Sequence, residues 1–451
     1  MKMPEEFYTL MEKTLGEDYK PYATALNEQP FRGLRLNPLK AERTVLEKLP
    51  YSLQPSPFSR QGYYIHTGLT GVGNHPLHHA GAFYLQEPSA MSAATALEVQ
   101  PGDRILDLCA APGGKATQIA GELLHTGLIW ANEIVPSRAQ TLLSNFERMG
   151  VRAGVVSCER PDKLCSALSG YFDKVLVDAP CSGEGMLRRE ASAVREWRAE
   201  NRAACARRQL LILDSAVKAL REGGVLLYST CTLSGEENEG VVEAFLRSHP
   251  ECKLAEIGPV FGRPAYRRLA PGCAEIGMAR RILPMDGGEG HFAARFIKTG
   301  RGEYTGKQYG YTAPPEAAIK FLKEHFTEEY GILQQAGDSI LLMPEKLPET
   351  RGLRMLRAGV QAGKWIKGRI EPAHHLFSAA RPNQCRSNLN LSAGDPRTAA
   401  YLRGEEISAD DCRGYTCISI EGVALGFGKV SGGVCKNKYP KGLRLRNEAL
   451  F

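Results

Sequence analysis

Short apolar runs alternate with amphipathic stretches through the middle of the chain. RILDLC (104 to 109), LIWANEI (128 to 134), AGVVSC (153 to 158), KVLVDAP (174 to 180) and VLLYSTC (225 to 231) have the length and composition of strands, and helical stretches separate them. The clearest helix precedes the last run. There Leu210, Leu213, Val217 and Leu220 recur at helical spacing, and Gly223 and Gly224 are expected to stop it. A βαβ series of this kind predicts a parallel sheet covered on both faces, with ligands bound outside the carboxyl ends of the strands. After HFAARFIK (291 to 298), the glycine-rich polar stretch TGRGEYTGKQYGYTAPP reads as a linker. A mixed segment follows to about residue 380, then a strand-rich tail in which YTCISIEGVALGFGKV has period-two character. No internal repeat or low-complexity tract interrupts the pattern.

Composition narrows the class. The chain has 451 residues, 43% hydrophobic and 24% charged, enough for a buried core and two to four domains. Twelve cysteines raise the question of disulfides. No charged-then-apolar signal opens MKMPEEFYTL, no apolar run approaches the ~20 residues of a membrane span, and no C-x-x-C pair exists. Free thiols in a reducing cytoplasm, no membrane and no structural metal are therefore expected. The H-x-x-H-H cluster of His75, His78 and His79 lacks a nearby carboxylate and is not read as a metal site.

Net charge is +7, a mild excess whose distribution says more than its size. The tail KVSGGVCKNKYPKGLRLRN carries Lys429, Lys436, Lys438, Lys441, Arg444 and Arg446 with no acidic residue, and Tyr439 lies among them. A surface that tracks phosphates has this pattern, and so has an ordinary solvated basic face. The helical region 188 to 208 holds Arg188, Arg189, Arg195, Arg198, Arg202, Arg207 and Arg208 against three Glu. It would clamp the phosphates of a nucleic acid or stand as a solvated helix with internal ion pairs.

The first chemical motif is DLCAAPGGKATQIA (107 to 120). A strand ends at Asp107 to Cys109, a tight Pro-Gly-Gly loop follows, and a helix starts near Lys115, so backbone amides meet a ligand closely. It is not a phosphate-binding P-loop, which needs Gly at 109 and Ser or Thr at 116, where this chain has Cys109 and Ala116. Glu133 lies 26 residues after Asp107 (133 minus 107), near the spacing at which a carboxylate holds a ribose diol. A nucleoside-containing cofactor suits this arrangement, although a solvated strand end would also explain Glu133. Cys181 in LVDAPCSGEG and Cys231 in LLYSTCTLSGEE each leave a strand into a loop of Pro, Ser, Thr and Gly. There a thiol is exposed and backbone donors can stabilise a thiolate. If those two strands are neighbours, both thiols share a cleft with the cofactor loop.

DLCAAPGGKATQIA, VLVDAPCSGEG and YSTCTLSGEENE resemble the signature motifs of the Nol1/Nop2/Sun family, the RNA cytosine-C5 methyltransferases that use S-adenosylmethionine. The resemblance extends through FRGLRLNPLK, FYLQEPSAM and LPMDGGEGHFAARF, and the tail GVALGFGKVSGGVCKNKYPKGLRLRN is similar to that of bacterial RsmF-type 16S rRNA enzymes. It implies an α/β fold: a Rossmann-like methyltransferase sheet with an N-terminal RNA-binding extension and a C-terminal α+β segment ending in a PUA-like β-barrel. The implied units are an extension (1–95), a catalytic domain (96–299), a linker (300–315), a small mixed domain (316–382) and a PUA-like RNA-binding domain (383–451).

The same resemblance implies roles. Cys231 would be the nucleophile, Cys181 the thiol that assists product release, and Asp178 and Lys115 would line the cytosine pocket. Asp107, Cys109, Ala110, Ala111, Pro112, Gly113, Gly114, Lys115, Glu133, Arg138 and Asp178 would form the S-adenosylmethionine site, while Lys436, Lys438, Lys441, Arg188 and Arg189 would meet RNA. Cys158 stands where the family often carries Asn or Asp, so the adenine contact stays unassigned. The chemistry needs a thiolate because cytosine C5 is too poor a nucleophile until addition at C6 makes it enamine-like. Asp178, if protonated, would donate to N3 of the adduct. Implied partners are ribosomal RNA, with the 16S decoding region favoured, either naked or in the assembled small subunit, met by a monomer; tRNA and 23S rRNA are the alternative addresses. A DNA cytosine methyltransferase using Cys181, and a catalytically silent RNA-binding assembly factor, are the competing readings.

Overall fold

In the computed structural model, which describes residues 3–66, 68–258, 261–328 and 331–445, the alternating runs build one mixed sheet. Its strands are β1 (Arg104–Asp107), β2 (Leu128–Asn132), β3 (Gly154–Ser157), β4 (Phe172–Asp178), β5 (Leu220–Thr230) and β6 (His291–Lys298). They lie in the order β3-β2-β1-β4-β5-β6. The first five are parallel and β6 runs antiparallel to β5. Crossovers are made by helices α1 (Gly114–Leu123), α2 (Pro136–Arg148), α3 (Pro161–Ala167) and α4 (Asn201–Ala219). Strand order reverses between β1 and β4, and the loops that leave their carboxyl ends open the crevice where such sheets bind ligands.

Alternate residues of each strand feed two cores. Leu106, Trp130, Val175 and Val177 pack on one face with Leu213 and Ala216 of α4. Ile105, Ile129, Leu176 and Leu227 pack on the other with Ala116 and Ile119 of α1. Burial on both faces is why these strands read as unbroken apolar runs.

One boundary differs from expectation. Helix α4 ends at Ala219, and Leu220 already pairs with Phe172, so Gly223 and Gly224 lie inside β5. Gly223 has φ +71°, beside a register shift between Phe172 and Lys174. The glycines accommodate an irregular strand start; they do not end the helix.

The flanking segments brace this sheet. Upstream, Gly33–Leu36 pairs with Gly62–Tyr64 and Phe83–Leu85. Downstream, Met355–Ala358 adds itself to the free edge of β3, so a C-terminal strand completes the catalytic sheet. The glycine-rich stretch from 299 to 315 is irregular but docked. The Tyr304 ring lies 4.9 Å from Tyr171, and the Tyr311 hydroxyl donates to the Pro344 carbonyl at 2.8 Å.

The tail forms a five-stranded sheet around the hairpin Gly414–Ile420 and Val423–Ser431. Most of that hairpin is buried, because helix His374–Ser378 covers the second face and Phe377 stacks on Phe427 at 4.6 Å. Among the described residues no helix is long and apolar enough to cross a membrane.

Candidate active site

Strands β4 and β5 are neighbours in register, Asp178 opposite Ser229, so the loops that follow them emerge side by side. Cys181 and Cys231 meet there with their sulfurs 3.4 Å apart. The loops are tied together behind the thiols. The Gly185 amide donates to the Cys231 carbonyl at 2.8 Å. A Cβ on Gly185 would fall 2.6 Å from the Gly290 carbonyl oxygen, so only glycine fits. Glu184 Oε2 accepts from the Leu233 amide at 3.0 Å and from the Thr232 hydroxyl, and its Oε1 accepts from Trp197 Nε1 at 3.2 Å. Glu237 Oε2 accepts from the Ser182 amide at 3.0 Å and from Gln209 Nε2 at 2.9 Å.

Glu184 and Glu237 are buried, and the sequence reading passed them over. A signal was present: a Ser-Gly-Glu triplet follows each cysteine, at 182–184 and at 234–236, in the second case with Glu237 one place further on. The hydrogen bond to Cys231 and burial push the Cys181 thiol well above its ordinary value. Cys181 therefore holds its proton beside Cys231.

Next to the sulfurs, Lys115 Nζ donates to Asp178 Oδ2 at 2.7 Å and the Ser229 hydroxyl donates to Oδ1, also at 2.7 Å. Burial pushes Asp178 up, but the Lys115 charge and these hydrogen bonds outweigh it and leave the carboxyl below its usual range. Burial pulls Lys115 down, and Asp178 more than restores it. In the free site Asp178 is therefore a carboxylate and Lys115 carries the proton.

The cofactor loop follows β1. Gly113, at φ +114°, turns the chain into α1, and a Cβ there would press on Leu142 Cδ1 at 3.1 Å. Three side chains from two other segments, the N-terminal strand and α2, pin the loop. Arg35 of the N-terminal strand is fully buried, donating to the Gly114 carbonyl at 2.6 Å and to Thr117 Oγ1 at 2.9 Å. Asn145 donates to the Pro112 carbonyl at 2.8 Å. Arg138 donates to the Ala111 carbonyl at 3.0 Å and pairs with Glu133 Oε2 at 3.2 Å. Arg35 and Asn145 had no signal in the linear sequence, since Arg35 acts across 79 and 82 positions.

Asp107 is buried with no hydrogen-bond partner on either oxygen. Burial and the neighbouring Asp178 push it up to about 8. The two orphaned Asp107 oxygens at the end of β1 would be satisfied by the donors of an amine-bearing nucleoside, whereas Glu133 at the end of β2 already accepts from the Val135 amide at 2.9 Å and is held by Arg138 at the place where a ribose would lie. Ile134 and Val135, 54% and 40% exposed, lie just beyond Glu133 and offer an apolar surface. The Cys158 thiol donates to the Ile134 carbonyl at 3.5 Å and so supports that surface from below. Cys109 is half-buried, its thiol raised well above the ordinary value by burial and by Asp107.

Family models match almost the whole chain in four pieces. They describe the N-terminal domain of 16S rRNA methyltransferase RsmF (residues 3–88), 16S rRNA methyltransferase RsmB/F (94–297), the RsmF rRNA methyltransferase first C-terminal domain (320–379) and the methyltransferase RsmF PUA domain (388–445). Ribosomal RNA small subunit methyltransferase F of Klebsiella pneumoniae (strain 342) is 30% identical over 477 residues, covering 99% of this chain and 98% of that protein. The chain belongs to the RsmF family of 16S rRNA methyltransferases. Among solved structures, PH0851 superposes with a TM-score of 0.60 at 26% identity, covering 66% of each chain. A methyltransferase homolog from Pyrococcus horikoshii gives 0.57 at 28% identity, covering 65% of this chain and 95% of that one.

The surfaces of this RsmF-family chain revise the expected RNA contacts. Arg188 is not an exposed clamp. Its side chain is 5% exposed, donates to the Glu28 and Gln29 carbonyls at 3.0 and 3.1 Å, and lies 3.4 Å from Glu289. It fastens the N-terminal segment to the catalytic domain. Arg189 is exposed, as are Arg195, Arg198, Arg207 and Arg208, whereas Arg202 is buried. The region is not one helix, because Trp197 turns inward against Phe7, ring centroids 5.5 Å apart, and separates Ala191–Glu196 from α4.

In the PUA domain Lys429, Lys436, Lys438 and Lys441 are exposed. Tyr439 is buried between His374 and Tyr401 and is no stacking platform. Arg446 lies outside the described residues. His75 Nδ1 accepts from the Leu77 amide at 3.2 Å at the start of the short helix Pro76–His79. Burial pushes His78 and His79 down to about 3 and about 4. Among the described residues no three His, Cys, Asp or Glu side chains converge as a metal site would.

Proposed function

We propose that the chain methylates C5 of a cytosine in 16S rRNA, with S-adenosylmethionine as methyl donor, through a covalent bond between Cys231 and C6. The observation that carries this reading is the thiol pair at 3.4 Å set beside the Lys115–Asp178 ion pair at the carboxyl ends of two adjacent strands. S-adenosylmethionine supplies a methyl group on a positively charged sulfur. Asp107, Glu133 and the Ala110–Gly114 loop hold the nucleoside, Arg138 fixing Glu133 and the loop together.

Cys231 adds to C6, and the electron pair displaced from the C5–C6 bond gathers on the N3 and O2 edge of the ring. Lys115, which carries the proton in the free site, is the donor placed to meet that charge, and Asp178 accepts from the base. Once C5 bears the methyl group, a solvent water takes its proton, the electron pair left behind re-forms the C5–C6 double bond, and the Cys231 thiolate is expelled from C6. Cys181, protonated and in contact with that sulfur, assists this departure. The base itself must leave its stack to reach the crevice. We take the address to be the decoding region, presented as naked RNA or in the small subunit, and the working form to be a cytoplasmic monomer.

Replacing the C5 hydrogen of the target by fluorine tests the covalent route. With no proton to lose, 5-fluorocytosine RNA should trap wild-type enzyme as an adduct that survives denaturation, only when S-adenosylmethionine is present and never with Cys231→Ala. Turnover without an adduct would overturn the route.

Asp107 gives a pH test. Its folded pKa of about 8 lies above the unfolded value near 4. Its penalty on folding is therefore absent below about pH 4, grows as pH rises to about 8, and is constant above. Asp107→Asn should raise the Tm of the cofactor-free protein increasingly from pH 4 to pH 8 while weakening S-adenosylmethionine binding. A Tm difference independent of pH would contradict the assignment. In the tail, replacing Lys436, Lys438 and Lys441 together by Gln should flatten the slope of log K against log [salt] for RNA by about 2 and leave cofactor affinity unchanged. An unchanged slope would remove these lysines from the interface.

A further inference from the structure

His291 has no assigned part in the reaction, yet the sheet delivers it to the centre of the site. Phe292 pairs with Thr230 and Ala293 with Ser229, so the antiparallel ladder carries His291 to a position beside Cys231. Residues two apart share a face, which puts His291, Cys231, Ser229 and Asp178 together. The imidazole is buried, with a side chain 2% exposed, and burial and the Lys115 charge push it down to about 3, so it is neutral. Nε2 has no hydrogen-bond partner and stands 3.9 Å from Asp178 Oδ1. The Gly290 backbone interacts with the ring. With the ring proton on Nδ1, Nε2 presents a lone pair to the site.

Two acceptors thus face one another across a gap that no protein donor fills. An unpaired buried acceptor is costly, and native sites that keep one usually have a ligand to satisfy it. At 3.9 Å separation, one nitrogen with two N–H groups can lie about 2.9 Å from both acceptors. Asp178, 28% exposed, is the open member of the pair, so what fills the gap enters past the carboxylate. Of the RNA pyrimidines, cytosine carries an amine at C4. Uracil carries a carbonyl there, which would meet a lone pair and a negative charge. Thiolate addition at C6 does not itself distinguish the two bases, so the selection has to be made by contacts.

We propose that His291 Nε2 and Asp178 Oδ1 jointly accept the exocyclic amine of the target cytosine, and that His291 is a specificity-determining residue excluding uracil. This rests on the cytosine-C5 reading of the site.

The test uses the full-length enzyme, S-adenosylmethionine and 16S rRNA carrying either cytosine or uracil at the modified position, with kcat/KM read for each. His291→Asn offers an amide that can turn an N–H toward O4, and it should narrow the cytosine-over-uracil preference about tenfold or more. Cofactor affinity should not change. An unchanged preference in a variant that still methylates cytosine overturns the proposal. If His291→Asn binds cofactor poorly or methylates neither base, the wild-type enzyme decides the matter with N4-methylcytosine at the target. One N–H for two acceptors should lower kcat/KM about tenfold, and equal rates with cytosine overturn it. Failure of the wild-type enzyme to methylate any cytosine at C5 would instead remove the underlying reading.

Discussion

Cys181→Ala, incubated with RNA and S-adenosylmethionine, is expected to accumulate a protein–RNA adduct that survives denaturation. The expectation follows from the asymmetry of the thiol pair. Cys181 is held protonated against Cys231, at 3.4 Å, by its hydrogen bond and by burial. Removing it leaves Cys231 free to attack while withdrawing the group in contact with the departing sulfur. Addition and methyl transfer should proceed, and release should slow by about 10²- to 10⁴-fold, the usual worth of one positioned proton-transfer group. A gel-shifted, denaturant-resistant band with the mass of enzyme plus methylated RNA is the readout. Equal, partial losses of turnover in the Cys181 and Cys231 variants, without a band, would mean that the two thiols share one role.

Cys231→Ala should abolish methylation. The sulfur forms the bond that makes C5 reactive, and no other described nucleophile occupies the crevice except Cys181, whose thiol is held protonated. Removing a covalent nucleophile costs on the order of 10⁴-fold or more in kcat. The loops should stay in place, because the Gly185 amide bonds the Cys231 backbone carbonyl and Glu184 holds Thr232 and Leu233, none of which the substitution touches. Cofactor affinity should therefore persist while turnover is lost. Residual turnover that depends on Cys181 would favour the arrangement of DNA cytosine methyltransferases, with Cys181 as nucleophile.

What the linear sequence conveyed and what it hid divide along a physical line. The strand series, the loop after Asp107 and the two strand-end cysteines are local patterns, and each is visible within a dozen residues. Asp178, Lys115, Cys181 and Cys231 converge because β4, β1 and β5 are neighbours, which parallel α/β order predicts. The braces were hidden because they arrive from far along the chain, as Arg35 does at Gly114 and Met355–Ala358 does at β3. Charge misled in two places. Arg188 reads as a surface cation yet is buried against Glu289, and Tyr439 sits among lysines yet packs into the PUA core. A residue's neighbours in sequence do not say which face its side chain takes. The protonation of Asp178 was equally illegible, since it depends on an ammonium 63 positions away.

The most direct test is mass mapping of 5-methylcytosine in 16S rRNA after small subunits from a strain lacking the modification are incubated with S-adenosylmethionine and wild-type or Cys231→Ala enzyme. The account predicts new methyl groups on C5 of cytosine with wild type and none with Cys231→Ala. RNA binding without methyl transfer by the wild-type enzyme, on 16S rRNA and equally on 23S rRNA and tRNA, would contradict it and point to a silent assembly factor.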